Sequence, residues 1–287
     1  MQYGLSVANT DMFGDVRALA ELMHQAEAVG WDGVFLEDYI IYQGSRDAPT
    51  YDPWVAMAAI AMRTERMRIG TAVTPLPRRR PWKVAREAMT LDHLSGGRFI
   101  LGVGMGDVND VGFTHFGEVT DAKARAGMLD EALDVLVGLL SGQPFAYQGV
   151  HYQVDEVTFQ PAPVRPGGIP IWIGGGWPRK ALARRAARLD GACPYKIGAE
   201  SEYESEGMTP ADIRALKAAI AAQRTRSAPF DIINGGETPG DDPAQAGAIL
   251  APLAEAGVTW WTEFVGSYRG DGDAMRARIL QGPPRIV

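Results

Sequence analysis

The chain has 287 residues, of which 46% are hydrophobic and 22% are charged, and its formal net charge is −7 at pH 7. This composition is typical of a globular protein with a large core, and the acidic balance argues against nucleic acid or an anionic membrane as a partner. The single cysteine, Cys193, excludes an internal disulfide and a multi-cysteine metal site. The first residues lack a signal-peptide pattern and no run approaches about 18 apolar residues, so we expect a cytoplasmic protein without a membrane segment.

Strand and helix signals alternate along the chain. Short apolar runs predict strands at 3–8, 33–36, 68–73, 99–103, 169–173, 191–195, 230–233 and 258–265. Apolar residues at helical spacing predict helices at 15–29, 53–64, from 81 to the turn LSGGR, and at 121–140, 178–189, 209–226, 242–256 and 273–280. The rhythm is interrupted once, at 144–159, where alternating aromatic, polar and β-branched residues predict a hairpin between the fourth helix and the fifth strand.

The order of these elements predicts the fold. Repeated strand–helix units imply parallel strands with right-handed crossovers, and eight such units can close a barrel. The alternative is a doubly wound open sheet, which usually carries a G-x-G-x-x-G turn after its first strand, whereas residues 9–14 offer only Gly14. We therefore predict the α/β class and a single (β/α)8 TIM barrel domain over residues 1–287.

The segment LDHLSGGRFILGVGMG, residues 91–106, is the most informative part of the chain. It predicts a helix end, a tight turn, a buried strand and an exit from that strand at Gly102, Gly104 and Gly106. Bare backbone at such an exit lets a flat or phosphorylated molecule approach closely. The alternative is a purely structural turn, because glycines at this spacing are weak evidence on their own.

A second glycine-rich segment, IPIWIGGGWPRK, follows the predicted hairpin. Gly174, Gly175 and Gly176 leave a predicted strand and lead to a helix near Pro178. Free N–H groups and the helix dipole at such a start bind phosphate well, although a plain tight turn is the alternative. The strand exits contain few histidines and no cluster of metal-ligand type, so no metal site is predicted.

These segments, together with GWDGVFLED, HYQVDEVTFQPAPV and the long middle run DPWVAMAAIAMRTERMRIGTAVTPLPRRRPWKVAREAMTLDHLSGGRFILGVGMG, resemble the bacterial-luciferase-like flavin-dependent oxidoreductases. The resemblance covers essentially the whole chain. It implies a (β/α)8 barrel that holds FMN or the related deazaflavin coenzyme F420 at the carboxyl ends of its strands. It also implies a small-molecule substrate and a homodimer.

The same resemblance assigns site residues. Thr71, Ala72 and Val73 match a strand exit where the family often has a non-proline cis peptide that braces one face of the tricyclic ring. The range 104–107 matches the loop that touches the ring and the ribityl chain, through Gly104 and Asp107. Gly174 to Gly176, followed by Trp177, match the phosphate loop.

The expected catalytic residues are Asp38, Tyr39 and Glu263. Asp38 matches a frequent acidic residue near the ring. Tyr39 stands where many relatives have histidine, and its phenol can still donate a hydrogen bond. Glu263, at the exit of the last strand, is the best remaining carboxylate for a substrate or ribityl contact. The acidic stretch 200–206 predicts either a short mobile lid or a solvated loop.

The resemblance implies a flavin-dependent oxidoreductase or monooxygenase that acts on a hydrophobic small molecule. With reduced FMN, supplied by a separate flavin reductase, the enzyme would oxygenate its substrate. With the deazaflavin, hydride transfer without oxygen is expected, and the sequence does not separate the two. The alternatives are a flavin-binding barrel without turnover and a phosphate-binding lyase or isomerase on the same fold.

Overall fold

The computed structural model describes residues 1–42, 47–107, 109–198 and 205–284. Its strands are β1 (Gln2–Val7), β2 (Gly33–Leu36), β3 (Arg68–Thr71), β4 (Thr74–Pro75), β5 (Phe99–Gly104), β6 (Phe145–Gln148), β7 (Gln153–Val157), β8 (Ile171–Trp177), β9 (Gly191–Ile197), β10 (Ser205–Glu206), β11 (Asp231–Gly236) and β12 (Trp260–Val265). Its helices are α1 (Val16–Ala28), α2 (Pro53–Arg63), α3 (Pro81–Leu94), α4 (Val111–Thr114), α5 (Ala122–Leu140), α6 (Lys180–Ala186), α7 (Pro210–Ala221), α8 (Pro243–Ala256) and α9 (Gly272–Leu280).

The strands close into the predicted barrel. Parallel pairs run in the order β1, β2, β3, β5, β8, β9, β11 and β12, and β12 pairs in turn with β1. The third position of the barrel is shared by β3 and β4, because the predicted strand 68–73 is interrupted after Thr71 and pairing with β5 resumes at Thr74. We call the end of the barrel formed by the carboxyl ends of these strands the mouth.

Local sequence explains where the helices begin. Asp side chains at positions 15, 52, 121, 242 and 271 accept hydrogen bonds from the first backbone N–H groups of α1, α2, α5, α8 and α9. Proline occupies the first turn of α2, α3, α7 and α8, where its missing N–H costs nothing. These caps place the helix starts beside the mouth, immediately after the loops that leave the strands.

A layer of large side chains fills the barrel interior. Phe35, Trp172 and Trp260 lie with ring centroids 5.1 to 5.5 Å apart, and Ile100 and Ile233 complete the cluster. We call these five residues the inner layer. All of them are buried, so the barrel is a packed core below the mouth and not an open channel.

Several local features differ from, add to or agree with the sequence prediction. The strand predicted at 169–173 begins at Ile171 and continues to Trp177, and the short helix α4 was not predicted. Strands β6 and β7 pair antiparallel between α5 and β8. Residues 200–204 of the acidic stretch predicted as a lid or solvated loop lie outside the described residues, while Ser205 and Glu206 form β10.

Candidate functional site

Strand geometry identifies which side chains face the mouth. Successive residues of a strand point to opposite sides, so the residues two positions beyond the inner layer point the same way and lie nearer the mouth. Cys193 packs against the inner layer, which brings Tyr195 into the same set. The set consists of Glu37, Gly102, Gly174, Tyr195, Gly235 and Thr262. We call these six residues the mouth floor.

Aromatic side chains rise above the mouth floor. Tyr195 is 44% exposed and Phe264, two residues beyond Thr262, is 39% exposed. Tyr268 follows in the loop after β12 and is 65% exposed. Partly exposed aromatic groups beside the Gly and Thr residues of the mouth floor form a surface suited to a planar ligand.

The interrupted third strand forms a bulge beside the mouth floor. The peptide bond between Ala72 and Val73 is cis, as the resemblance implied for this position. Ala72 packs against the inner layer, and the Val73 side chain occupies the space where a Cβ at Gly104 or Gly174 would stand, 2.6 and 3.0 Å away. Thr71 is fully buried, and its hydroxyl donates to the carbonyl oxygen of Gly102 at 2.6 Å.

Contacts within the protein explain the glycines of β5 and of the loop that follows it. A Cβ at Gly102 would lie 1.8 Å from the Thr71 carbonyl oxygen, and one at Gly106 would lie 2.9 Å from both Phe113 and Pro75. The prediction that bare backbone there admits a ligand is corrected at these positions. The space left by the absent side chains is filled by the bulge and by the loop after β5.

Asp38 lies beneath the bulge and faces away from the mouth. Its carboxylate accepts from the Arg79 guanidinium at 2.7 Å, from the Thr74 hydroxyl at 2.9 Å and from the Trp54 indole at 3.4 Å. Arg78 donates to the carbonyl oxygen of Asp38 and bridges to its carboxylate at 3.4 Å. A buried carboxylate with this many donors anchors the loops after β2 and β4, so the structure does not place Asp38 where it could touch a ligand.

Arg78 and Arg125 hold the loop after β5. The sequence analysis did not predict this role for either arginine. Arg78 forms a buried ion pair with Asp110, at the start of α4. Arg125 is fully buried, lies 3.8 Å from the centroid of the Phe113 ring, and donates to the carbonyl oxygens of Met105 and Asp107. Asp107 itself is exposed. The expected cofactor loop is thus fixed from below while Asp107 faces solvent.

Tyr39 is held at the start of the loop after β2. Its backbone N–H donates to the side-chain oxygen of Asn9 at 3.3 Å, and its carbonyl oxygen accepts from the amide of Asn9 at 2.8 Å. The Tyr39 ring is partly exposed and packs edge to face against Tyr42 at 5.6 Å. Of the three predicted catalytic residues, Tyr39 is the one that the structure leaves accessible.

The Glu263 carboxylate is buried and is paired with donors of the protein. Glu263 is 0% exposed, and its carboxylate accepts from the backbone N–H and hydroxyl of Thr238, from the indole of Trp261 and from the guanidinium of Arg269, all within 3.1 Å. Arg278 of α9 approaches it at 3.5 Å. The prediction of a substrate or ribityl contact is corrected, because Glu263 points out of the barrel and ties α9 to the loop after β11.

The predicted phosphate loop belongs to strand β8. Gly174, Gly175 and Gly176 are registered against residues of β9, so much of their backbone hydrogen bonding belongs to the sheet. Gly174 and Gly176 face the mouth, whereas Gly175 faces Leu182 of α6. Trp177 shares the outward orientation of Gly175 and lines a cavity of about 710 Å³ between α6 and α7. The turn predicted at these glycines is therefore a continuation of the strand.

Glu37 is the mouth residue that the sequence analysis overlooked. Burial raises the pKa of its carboxyl to about 7. Burial of Tyr42, together with the charge of Glu37, raises the pKa of the Tyr42 phenol. The signal that could have found Glu37 is strand alternation, since it lies two residues beyond the large apolar residue Phe35.

Among the described residues, no helix combines the length and the apolar character needed to cross a membrane. Within those same residues, no group of three or more His, Cys, Asp or Glu side chains is arranged to hold a metal ion. Burial raises the pKa of the Cys193 thiol to about 12, so this residue is a poor nucleophile at neutral pH.

Comparisons with known proteins place these features in context. A family model described as luciferase-like monooxygenase matches residues 2–277. The F420-dependent glucose-6-phosphate dehydrogenase of Microbacterium testaceum is 34% identical over 209 residues, which are 71% of this chain and 59% of that enzyme. The chain thus spans less than two thirds of the length of this curated relative.

Solved structures share the fold at lower identity. An F420-dependent secondary alcohol dehydrogenase, in complex with an F420-acetone adduct, is 16% identical with a TM-score of 0.77, over 100% of this chain and 99% of that one. Monooxygenase RslO1 from Streptomyces bottropensis is 16% identical with a TM-score of 0.71, over 97% of this chain and 98% of that one. The barrel fold of this chain is therefore shared with these two proteins.

Proposed function

The chain belongs to the luciferase-like monooxygenase family, and from this premise we propose that it is an oxidoreductase that binds the deazaflavin coenzyme F420 at its mouth. The observation that carries the proposal is the Val73 side chain of the bulge together with the partly exposed rings of Tyr195, Phe264 and Tyr268 at the mouth, an arrangement suited to a planar ligand. The F420-dependent relative that is 34% identical favours the deazaflavin over FMN. When bound, the deazaflavin ring supplies a carbon that gives or takes a hydride.

The residues of the mouth fit such a coenzyme. In the proposal, Val73 and the mouth floor support one face of the ring, and Tyr195, Phe264 and Tyr268 enclose it. A Cβ at Gly235 would lie 2.2 Å from the Phe264 ring, so glycine at this position leaves room for the phenylalanine ring. Thr71 and Ala72 set the position of Val73 from below.

The loop after β5 would hold the chain of the coenzyme. Gly104 and Asp107 bound this loop, and Arg125 fixes it through its two backbone carbonyl oxygens. Gly174 and Gly176 border the same side of the mouth. In the proposal, Asp38 holds the loops after β2 and β4, and Glu263 holds the loop after β11. Tyr39 donates a hydrogen bond to the substrate or the coenzyme from the side of the loop after β2.

The mouth also bears on the class of substrate. None of the six mouth-floor residues is Lys or Arg, and Val73, Phe264 and Tyr268 beside them are aliphatic or aromatic. A sugar phosphate needs a cation or a cluster of N–H donors to replace its hydration. We therefore propose a small, largely apolar alcohol, or the corresponding aldehyde or ketone, as the substrate.

We propose that the enzyme works in the cytoplasm as a homodimer. A second candidate function is oxygenation with reduced FMN from a separate flavin reductase, which the likeness in fold to a monooxygenase favours. A flavin-binding barrel without turnover is a third outcome that an experiment can distinguish.

Reduced F420 mixed with the enzyme and a panel of aldehydes and ketones, under strict exclusion of oxygen, tests the proposed function. We expect the absorbance of oxidised F420 to appear with at least one apolar carbonyl compound and not without enzyme. Turnover only with reduced FMN and oxygen would assign the oxygenase function instead. Tight binding of F420 with no turnover on any compound would favour the non-catalytic barrel.

A further inference from the structure

Glu37 lies at the centre of the wall formed by the first three barrel strands. It is the first residue after β2, and its N–H donates to the carbonyl oxygen of Val7 in β1 at 3.0 Å. On the other side, the N–H of Ala72 donates to the carbonyl oxygen of Leu36 at 2.9 Å. Continuing the register of β1, β2 and β3 by one residue places Glu37 between Ala8 and Ala72. Its neighbours on the strands are therefore small and apolar.

The carboxyl of Glu37 differs from the other buried acids near the mouth. Asp38, Asp110 and Glu263 each pair with an arginine. Within the described residues, the structure gives the Glu37 carboxyl no hydrogen bond and no ion pair. A half-buried carboxyl without a bound cation among the described residues keeps its proton to a higher pH, and burial raises the pKa of Glu37 to about 7.

The other titratable groups around Glu37 are phenols and one ion pair. Burial raises the pKa of Tyr42, in the loop after β2, and of Tyr268, after β12, and the charge of Glu37 adds to both shifts. Tyr268 also interacts with Glu237 and Arg269, which pair with each other at 3.3 Å. Asp38 next along the chain faces the opposite way and is closed by Arg79. No cation among these groups is bound to Glu37.

We propose that Glu37 is the acid–base residue of the mouth and exchanges a proton with the oxygen of the substrate. This inference rests on the proposed function. In the direction of reduction, a bound reduced deazaflavin would supply the hydride for the carbonyl carbon of the substrate. Glu37 would give its proton to the carbonyl oxygen, which gains the electron pair of the broken C=O π bond. The Glu37 carboxylate regains its proton from water, and in the direction of oxidation each transfer runs in reverse.

The assignment follows from what the site must supply. General acid–base catalysis is most efficient when both protonation states of the group are populated near the working pH. Glu37 meets that requirement and points into the mouth, whereas Asp38 and Glu263 are locked by arginines. Glu37 would thus perform the acid–base role that the sequence analysis considered for Tyr39. It stands two residues before Tyr39 in the chain.

Glu37→Gln tests the proposal, because glutamine keeps the size of the side chain and cannot titrate. Rates of carbonyl reduction should fall by about 100-fold or more, while the Kd for F420 changes by less than about threefold. In the wild type the rate should decline as pH rises through about 7, and the variant should lose this dependence. Glu237→Gln is the matched control, an exposed carboxyl near Tyr268, and should keep the wild-type rate and pH profile.

A second readout needs no coenzyme. The folded-state pKa of Glu37 is raised above its ordinary value of 4.5, so the folded state holds this proton more tightly and the contribution of Glu37 to stability is lost as pH rises through about 7. Glu37→Gln removes that loss. The Tm of the variant should therefore match the wild type near about pH 5 and exceed it by a few degrees near about pH 9. Glu237→Gln should show no such difference.

The outcomes separate the two proposals. A wild-type rate in Glu37→Gln, or an unchanged pH profile, would overturn the acid–base role while leaving the proposed function in place. Equal Tm values for variant and wild type at both pH values would also overturn it, because Glu37 would then titrate normally. Failure of the wild type to bind F420 would overturn the proposed function and the catalytic role together, and the Tm comparison would still report the protonation of Glu37.

Discussion

Replacement of Glu263 by alanine is expected to lower the free energy of unfolding by about 3–5 kcal/mol, because it leaves buried cations without their partner. The carboxylate binds Thr238, Trp261 and Arg269 and lies beside Arg278, whose guanidinium is itself buried. Burial lowers the pKa of Arg278, and Glu263 opposes that effect. Chemical denaturation, followed by tryptophan fluorescence, measures the loss.

Glu255→Ala is the matched control for this experiment. Glu255 is an exposed glutamate on α8, and its replacement should change the free energy of unfolding by no more than about 0.5 kcal/mol. The folded fraction of Glu263→Ala should still bind F420 with near wild-type affinity. A variant with wild-type stability that had lost turnover would instead support the catalytic role that the sequence suggested for Glu263.

Replacement of Tyr195 by glutamate is expected to weaken the binding of F420 by about tenfold or more, which corresponds to about 1.4 kcal/mol. Tyr195 faces the mouth and is partly exposed, so a polar side chain is tolerated there. The substitution removes an aromatic wall and sets a carboxylate against a coenzyme that carries a phosphate. Fluorescence titration of the variant measures the change in Kd.

Met62→Glu is the control that carries the same added charge. Met62 is 71% exposed in the last turn of α2, and the helices of the barrel end on the side away from the mouth. This variant should bind F420 as the wild type does. Equal Kd values for the two variants would contradict the placement of the coenzyme at the mouth, provided that both keep a wild-type Tm.

The barrel could be predicted from the sequence because its signals are local. Apolar runs such as 33–36 and 99–103 and the caps of the helices repeat with one rhythm, and each indicates its own element. The interruption of the third strand could not be derived from composition or spacing, since residues 68–73 have the pattern of an ordinary strand. The resemblance to a family supplied that feature.

The direction in which side chains point was harder to predict. At the exit of β2, both Glu37 and Asp38 are acidic, and only the alternation from Phe35 shows that Glu37 faces the mouth. The same count from Trp260 places Phe264 in the mouth and Glu263 outside it. Partners such as Arg78 for Asp38, 40 residues away, follow from the closed barrel and leave no local signal.

Predictions about glycine failed for a related reason. Gly102, Gly104 and Gly174 leave space, as expected, but that space is occupied by Thr71 and Val73 of the same chain. A sequence shows that a side chain is missing and does not show what fills the gap. Gly174 to Gly176 lie in a strand because β9 continues beside them to Ile197, which the sequence analysis had ended earlier.

Titration of the purified wild-type protein with oxidised F420 and, separately, with FMN tests the central claim most directly. Following coenzyme fluorescence, we predict saturable binding of F420 with one site per chain, and weaker binding of FMN. Binding of FMN alone would contradict the deazaflavin assignment and direct the work to oxygen consumption. Binding of neither would contradict the claim that the mouth of this barrel is a coenzyme site.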